Sequence, residues 1–250
     1  MSDYGCEVLA FGPHPDDVEL FAGGIMIRMA DLGHRTGVVD LTRGERASNG
    51  TPEERARECE EASAILGLGF RDNLGLPDTG LAPEPAQIAP VVEVLRRRRP
   101  ELVLLPWIEE RHPDHAVAAD LVARAVYFAG VRNYGAGERF VPRQVLHYAM
   151  RVRMPPSFVV DTSAAAERKA RAIACYTSQV TRPGGATATL ISAPGALAAI
   201  EARDRYHGSM IGVSHGEPLR AVATPGLVDP VRHFRDNAFA DAHAFEPREP

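Results

Sequence analysis

The sequence has few of the features that mark several large classes of protein. Its 250 residues include only three cysteines, Cys6, Cys59 and Cys175, and no Cys-x-x-Cys pair. Such wide spacing argues against a disulfide framework and favours a reducing compartment. No apolar stretch approaches the roughly 18 residues of a membrane span, and the first residues lack the basic and apolar regions of a signal peptide. These absences predict a cytoplasmic protein that is neither exported nor embedded in a membrane.

An excess of basic charge is absent as well. The chain has 28 Lys and Arg residues against 33 Asp and Glu residues, and its formal net charge is −5. Nucleic-acid-binding domains usually carry a basic surplus, so no nucleic-acid partner is expected. The one basic run, RRRR at residues 96–99, ends a helical pattern just before Pro100. Because cations suit the negative end of a helix dipole, we interpret this run as a solvated helix terminus.

The sequence does contain an alternation of short apolar runs and helical patterns. Strands are predicted near residues 7–11, 36–41, 102–106, 144–150 and 158–161, and helices near residues 18–32, 52–66, 87–98, 115–129, 164–176 and 195–210. This alternation is typical of βαβ units. It predicts an α/β, Rossmann-like fold with a mainly parallel sheet and helices on both faces.

No linker interrupts this pattern. Segments rich in Pro and Gly at residues 77–85, 182–195 and 223–230 are predicted to be loops. We therefore expect residues 1–250 to form a single domain, with a weakly patterned C-terminal tail from residue 230 onwards.

Two similar motifs follow two of the predicted strands. The sequence HPDD at residues 14–17 comes directly after the apolar run at residues 8–11, and RHPDH at residues 111–115 comes soon after the run at residues 102–106. The carboxyl ends of parallel strands meet at one edge of an open α/β sheet, where active sites lie. We therefore expect the two motifs to form one site.

The residue types in these motifs are those of a catalytic metal site. Zinc in enzymes is usually held by three protein ligands, imidazole nitrogens and carboxylate oxygens, and keeps one position for water. His14, Asp17 and His115 supply such a set. Two histidines and one carboxylate also suit Fe²⁺ or another divalent metal. The pattern predicts a metal site and leaves the metal open.

The other polar residues of the motifs suit proton transfer. Asp16 is predicted to take a proton from the bound water, whose pKa a zinc ion lowers to about 7. His112 can donate a hydrogen bond or a proton to the reacting centre, and Asp114 can hold an imidazole in one tautomer. An Asp at a helix start is more often a cap, but capping does not account for His-Pro-Asp after two separate strands.

These motifs resemble those of a known enzyme family. FGPHPDD at residues 11–17, with Gly23 and Gly24, and RHPDH at residues 111–115 are similar to the PIG-L/LmbE-like deacetylases, zinc enzymes that remove the acetyl group from N-acetylglucosamine derivatives. Further segments resemble the bacillithiol-pathway branch, namely VDLTRGE (39–45), GTPE (50–53), RDNLGLPD (71–78), PSFVVD (156–161), YTSQ (176–179), ARDRY (202–206) and IGV (211–213).

The resemblance implies a zinc-dependent hydrolase that removes the N-acetyl group from an N-acetylglucosamine conjugate. The bacillithiol-like segments imply N-acetylglucosaminyl malate as substrate, and a general N-acetylglucosamine or chitooligosaccharide deacetylase is the alternative. Members of the family often form hexamers, so the resemblance also implies a homo-oligomer with a small amino-sugar conjugate as its partner.

Two further residues acquire a functional interpretation from the resemblance. Thr51 and Glu54 have the spacing of a capping box, so Arg55 lies in the first turn of the helix that begins at Pro52. Arg55 is predicted to bind sugar hydroxyls or a substrate carboxylate, against the alternative of a surface salt bridge. Tyr206, which would otherwise be a packing residue, is a candidate for stabilising the oxyanion.

Two alternatives belong to other classes of function. A dinucleotide-binding domain is disfavoured because Gly-x-Gly-x-x-Gly is missing and because carboxylates in the first turn would repel a pyrophosphate. A non-catalytic zinc-binding protein would usually close its site with four Cys or His ligands. An open set of three ligands beside a spare aspartate favours catalysis.

Overall fold

A computed structural model describes residues 5–181 and 187–236. The strands are β1 (Cys6–Gly12), β2 (Thr36–Thr42), β3 (Phe70–Leu76), β4 (Pro100–Pro106), β5 (Gln144–Tyr148), β6 (Phe158–Asp161) and β7 (Gly216–Ala221). The helices are α1 (Asp17–Asp31), α2 (Pro52–Leu66), α3 (Pro85–Arg98), α4 (Pro113–Ala129), α5 (Ala166–Ala174), α6 (Thr177–Val180), α7 (Ala196–Ser209) and α8 (Pro230–Asp236). A 3₁₀ turn, Ser163–Ala165, precedes α5.

The seven strands form one sheet in the order β3-β2-β1-β4-β5-β7-β6. Strands β1 to β5 are parallel, whereas β7 runs antiparallel to both β5 and β6. The predicted α/β fold with a mainly parallel sheet is thereby confirmed. The chain passes from β1 outwards to β2 and β3 and then returns to the other side of β1 as β4. Open α/β sheets bind ligands at such a reversal, so the carboxyl ends of β1 and β4 are the expected position of a site.

The core lies on both faces of the sheet. Leu9 and Phe11 of β1 pack with α3 and α4 on one face. Val8 and Ala10, which alternate with them, pack with α1, α5 and α7 on the opposite face. Since successive strand side chains point to opposite faces, a central strand covered on both sides reads as an unbroken apolar run. This is why the run before the first motif predicts its strand well.

Two strands were not predicted from the sequence. Strand β3 lies at the edge of the sheet, and only its last residue, Leu76, is buried. Strand β7 is six residues long and contains Pro218. Neither has the apolar pattern that identifies the central strands, so their place in the sheet depends on pairing with neighbours.

The basic run at residues 96–99 has a different role from the one that its pattern indicates. Arg96 is buried, and its guanidinium donates hydrogen bonds to the carbonyl oxygens of Phe128, Ala129, Val131, Tyr134, Ala136 and Gly137. Two of these carbonyls belong to the last turn of α4, where a cation is favourable. Arg97 is exposed and Arg98 is partly exposed, and both pair with Asp72. The interpretation as a solvated terminus is therefore wrong for Arg96.

Parts of the predicted loops and tail lie outside the described residues. This applies to residues 182–186 of the loop at 182–195 and to residues 237–250 of the tail, whereas the start of the tail forms α8. Within the described residues, every helix is too short or too polar to cross a lipid bilayer.

Candidate active site

The first motif leaves β1 through a turn and enters α1. Asp16 precedes the helix with a φ of 106°, and its carboxylate makes no capping hydrogen bond. Positive φ is unfavourable for a residue other than glycine, and strained residues of this kind cluster at functional sites. Instead of capping α1, Asp16 Oδ2 lies 2.9 Å from Arg55 Nη2. Burial raises the pKa of Asp16 to about 7, although the charge of Arg55 lowers it.

The three predicted metal ligands meet at the carboxyl ends of β1 and β4. Asp17 Oδ2 lies 3.2 Å from His14 Nδ1 and 3.3 Å from His115 Nε2. Burial by itself would raise the pKa of Asp17, but His115 and His14 hold it well below its usual range. The other nitrogen of His115, Nδ1, is buried without a hydrogen-bond partner. Two imidazoles and a carboxylate that converge in this way fit a divalent metal ion.

The opposite edge of the His14 ring faces two further carboxylates. His14 Nε2 lies 3.3 Å from Asp114 Oδ2 and 3.1 Å from Asp78 Oδ1. A carboxylate in this position fixes the tautomer and the orientation of a ligand histidine, which is the role predicted for Asp114. Burial lowers the pKa of His14, but its hydrogen bonds with Asp114, Asp17 and Asp78 carry it well above the usual value.

Asp78 is a member of the site that the sequence reasoning missed. It follows β3 and lines the same cavity as the two motifs. Its Oδ2 accepts a hydrogen bond of 2.8 Å from the backbone N–H of Arg46. Burial raises the pKa of Asp78, but the bond to His14 brings it to about 2. The sequence feature that points to Asp78 is its position at the end of the family-like segment at residues 71–78.

His112 lies immediately before α4, and its Nδ1 accepts a hydrogen bond of 3.3 Å from the backbone N–H of Asp114. Its ring stacks on His115 with 4.7 Å between centroids. Burial lowers the pKa of His112, and the neighbouring charge of His115 lowers it further. One nitrogen from each of His14, His112 and His115 lies within 4.8 Å of the others. His112 is therefore close enough to act either as a proton donor or as a further ligand.

Arg55 lies in the cavity, as predicted, but Tyr206 does not. The predicted capping box is present, with Glu54 N–H donating to Thr51 Oγ1 at 3.2 Å, and it places Arg55 in the first turn of α2. Arg55 is only 4% exposed. Tyr206 is 57% exposed on α7 and lines a separate cavity beside Met154. The structure places Tyr206 outside the lining of the catalytic cavity, and its role in stabilising the oxyanion stays a prediction.

The cavity around these residues has a volume of about 480 Å³. Small-molecule sites usually measure roughly 300–1,000 Å³, so it can hold a sugar conjugate. The apolar part of its wall is formed by Leu20, Phe21, Leu190 and Ile191. The remaining wall includes residues of both motifs and four arginines, namely Arg55 and three others, Arg46, Arg111 and Arg151.

Comparisons with known proteins identify the family of the chain. The family model PIG-L, described as GlcNAc-PI de-N-acetylase, matches residues 9–126, which contain both motifs. The diacetylchitobiose deacetylase of Thermococcus kodakarensis is 31% identical over 186 residues, which are 69% of this chain and 70% of that protein.

Solved structures share the fold over most of the chain. The conserved protein TT1542 from Thermus thermophilus is 41% identical, with a TM-score of 0.83, and the match covers 90% of this chain and 98% of that one. The N,N'-diacetylchitobiose deacetylase from Pyrococcus horikoshii is 25% identical, with a TM-score of 0.75, and the match covers 86% of this chain and 83% of that one. The chain therefore belongs to the PIG-L family of de-N-acetylases, which confirms the family and the enzyme class that its motifs predict.

Proposed function

We propose that this protein hydrolyses the N-acetyl group of an N-acetylglucosamine conjugate and that His14, Asp17 and His115 hold its metal ion. The observation that carries the proposal is the convergence of these three donors, with Asp16 beside them, in one cavity at the ends of β1 and β4. Zinc is the proposed metal, because three protein ligands of these types are usual in zinc hydrolases. When bound, the ion would supply Lewis-acid polarisation of water and of the acetamide carbonyl.

The remaining steps belong to side chains of the cavity. Asp16, held by Arg55, is proposed to accept a proton from the water that attacks the carbonyl carbon. The carbon–nitrogen bond then breaks, and the amine nitrogen must gain a proton as it leaves. Asp16 can return its proton, or His112 can donate one, since both line the cavity. The products are acetate and the free amino sugar.

The proposed substrate within this class is N-acetylglucosaminyl malate. The bacillithiol-like segments support it, and so do the three arginines in the cavity wall, because malate carries two carboxylates. The second candidate is a chitooligosaccharide, favoured by the likeness to the two diacetylchitobiose deacetylases. Arg55 is the proposed ligand for sugar hydroxyls. A substrate carboxylate is the less suitable partner, because the Arg55 guanidinium is already paired with the carboxylate of Asp16.

The test is acetate release by metal-quantified protein from N-acetylglucosaminyl malate, diacetylchitobiose and N-acetylglucosamine. His14→Ala, Asp17→Ala and His115→Ala should each lose bound metal and acetate release together, since two protein ligands leave the site incomplete. His34→Ala, at an exposed histidine, is the matched control. Full metal content in all three variants would show that the ligand set is wrong. Bound metal without acetate release from any of the sugars would favour a non-catalytic zinc protein.

A further inference from the structure

Three arginines in the wall of the catalytic cavity differ from Arg55 in the surroundings of their guanidinium groups. Among the residues that the structure describes, the guanidinium groups of Arg46, Arg111 and Arg151 form no ion pair. The guanidinium carbon of Arg151 lies 5.8 Å from the centroid of the Phe21 ring. By contrast, the buried guanidinium of Arg55 is neutralised by Asp16 at 2.9 Å.

The acidic residues of the same cavity already have other partners. Asp16 is paired with Arg55, and Asp17 and Asp78 with imidazoles. Glu110 is the remaining carboxylate, and backbone groups take up both of its oxygens. Its Oε1 accepts a hydrogen bond of 2.6 Å from the N–H of Arg111. Within the described part of the chain, the guanidinium groups of the three arginines are therefore left without a carboxylate at ion-pair distance.

Glu110 also fixes where two of these arginines stand. Its Oε2 accepts a hydrogen bond of 2.7 Å from the N–H of Arg151 and one of 3.3 Å from the N–H of Val152. One carboxylate thus joins the loop after β4 to the segment after β5. Neither segment has regular secondary structure around these residues, so this clamp helps to set the separation of the two backbones beyond the paired ends of β4 and β5.

We propose that Arg111 and Arg151, held together by Glu110 and assisted by Arg46, form a subsite for a dicarboxylate aglycone of the sugar substrate. This inference rests on the proposed deacetylase function and names the part of the substrate that confers preference. Arginine is suited to the task because its planar fork matches a carboxylate in two hydrogen bonds. Glu110 is a positioning residue, since it holds backbone N–H groups and acts on the aglycone only through the arginines.

The experiment compares two substrates of nearly the same size, N-acetylglucosaminyl malate and its neutral diamide. The wild-type enzyme should have a kcat/KM about 10- to 100-fold higher for the malate, because charge-assisted contacts act only on that substrate. Arg111→Gln and Arg151→Gln should each reduce this ratio by about 10-fold, because the loss of kcat/KM should be larger for the malate than for the diamide. Arg153→Gln, an exposed arginine outside the lining of the catalytic cavity, is the matched control and should keep the wild-type ratio.

The positioning role of Glu110 is tested by which kinetic constant, KM or kcat, its replacement changes. Glu110→Ala should raise KM for the malate with little change in kcat, metal content or circular dichroism. Glu110→Gln keeps one acceptor oxygen and should retain part of the preference. Added KCl should lower the malate preference of the wild-type enzyme and have little effect on the Arg111→Gln/Arg151→Gln double variant, because salt screens exposed charges.

The failures of the two proposals are distinguishable. Equal rates on the malate and the diamide by the wild-type enzyme would overturn the anionic subsite and leave the deacetylase function intact. A malate preference that survives in the double variant would overturn the assignment to these arginines. No acetate from these two substrates, from diacetylchitobiose or from N-acetylglucosamine with metal-loaded enzyme would overturn the deacetylase proposal itself.

Discussion

Asp16 and Asp17 are adjacent in the chain, yet their carboxylates have different partners. Asp17 is surrounded by imidazoles, whereas Asp16 is paired with Arg55. Asp16, which has the positive φ, is the last residue before α1, and Asp17 is the first residue of the helix. Strain of this kind costs about 1–3 kcal/mol and persists only where surrounding contacts hold it. This difference in partners is the basis for assigning one carboxylate to the metal and the other to proton transfer.

Asp16→Asn should separate these two roles. The amide keeps the size of the side chain but cannot accept a proton from water, so kcat should fall by about 10²–10⁴ while bound metal is retained. Asp17→Asn is the matched neighbour and should lose metal. Metal analysis together with acetate release reads out both effects. If Asp16→Asn emptied the site, Asp16 would be the ligand.

Arg55→Ala should lower kcat as well as stability. The substitution leaves the buried Asp16 carboxylate without its partner, and breaking a buried pair of this kind usually costs about 3–5 kcal/mol of unfolding free energy. Because Asp16 then loses its orientation, kcat should fall by about 10-fold or more, part of the general-base contribution. Arg55→Lys should recover part of the lost kcat and part of the lost free energy of unfolding. A change in KM alone would instead assign Arg55 to the sugar hydroxyls only.

At the scale of elements, α1 carries the site at its start and is anchored halfway along its length. The buried carboxylate of Glu217, on β7, accepts hydrogen bonds from the N–H groups of Gly24 and Ile25 at 3.0 and 2.7 Å. Lys169 Nζ lies 2.5 Å from both Glu217 and Asp204, and so links the anchor to α5 and α7. The antiparallel end of the sheet thereby helps to hold the helix that presents the first motif.

The two glycines of α1 should respond differently to alanine. A Cβ at Gly24 would lie 2.9 Å from Glu217 Oε1 and 2.9 Å from Thr162 Cβ. Gly24→Ala should therefore destabilise the protein by about 1–3 kcal/mol, the usual effect of overpacking. At Gly23 the nearest atom, Lys169 Cγ, would be 3.4 Å away, so Gly23→Ala should be neutral or stabilising by up to about 1 kcal/mol through helix propensity.

Urea unfolding of the two variants under one set of conditions measures this difference. Equal stability of Gly23→Ala and Gly24→Ala would contradict the anchoring of α1 by Glu217. Metal content gives a second measurement. A displaced α1 should lose bound metal, whereas a protein that is only less stable should retain it, because the anchor is remote from the reacting groups.

At the scale of the whole molecule, the cysteines report on opening of the fold. Cys6 lies in β1 and Cys59 in α2, and burial raises the pKa of each thiol to about 12. Cys175 is half-buried, and burial raises its thiol pKa as well. The reactive thiolate is therefore scarce in the native protein at neutral pH.

Thiol labelling at pH 8 should modify Cys175 first, and Cys6 and Cys59 only when the sheet opens. The labelling rates of the two buried thiols should increase together with urea, because both depend on a shared unfolding step. Mass spectrometry of the labelled peptides gives the three rates separately. Rapid labelling of Cys6 in the absence of urea would contradict its burial in the central strand. The expected single domain, homo-oligomeric state and cytoplasmic location stay predictions at this scale.

The sequence by itself determined the central strands, the family and the two motifs. Val8, Leu9, Ala10 and Phe11 read as a strand because both faces of a central parallel strand are covered. HPDD and RHPDH could then be placed at one edge, since parallel strands end on the same side of a sheet. These conclusions need only local order and the geometry of βαβ units. The structure brings His14, Asp17 and His115 of the two motifs together, as that geometry predicts.

Only the tertiary structure decided which other residues join the two motifs and how distant segments are held together. Asp78 follows an edge strand with little apolar pattern, Arg96 meets carbonyls more than 30 residues away, and Glu110 joins two loops. In the family-like segment ARDRY, Asp204 is buried while Tyr206 points outwards. A charged side chain has the same local sequence signature whether it is solvated or held by distant partners. Its role is therefore set by the long-range packing that brings those partners together.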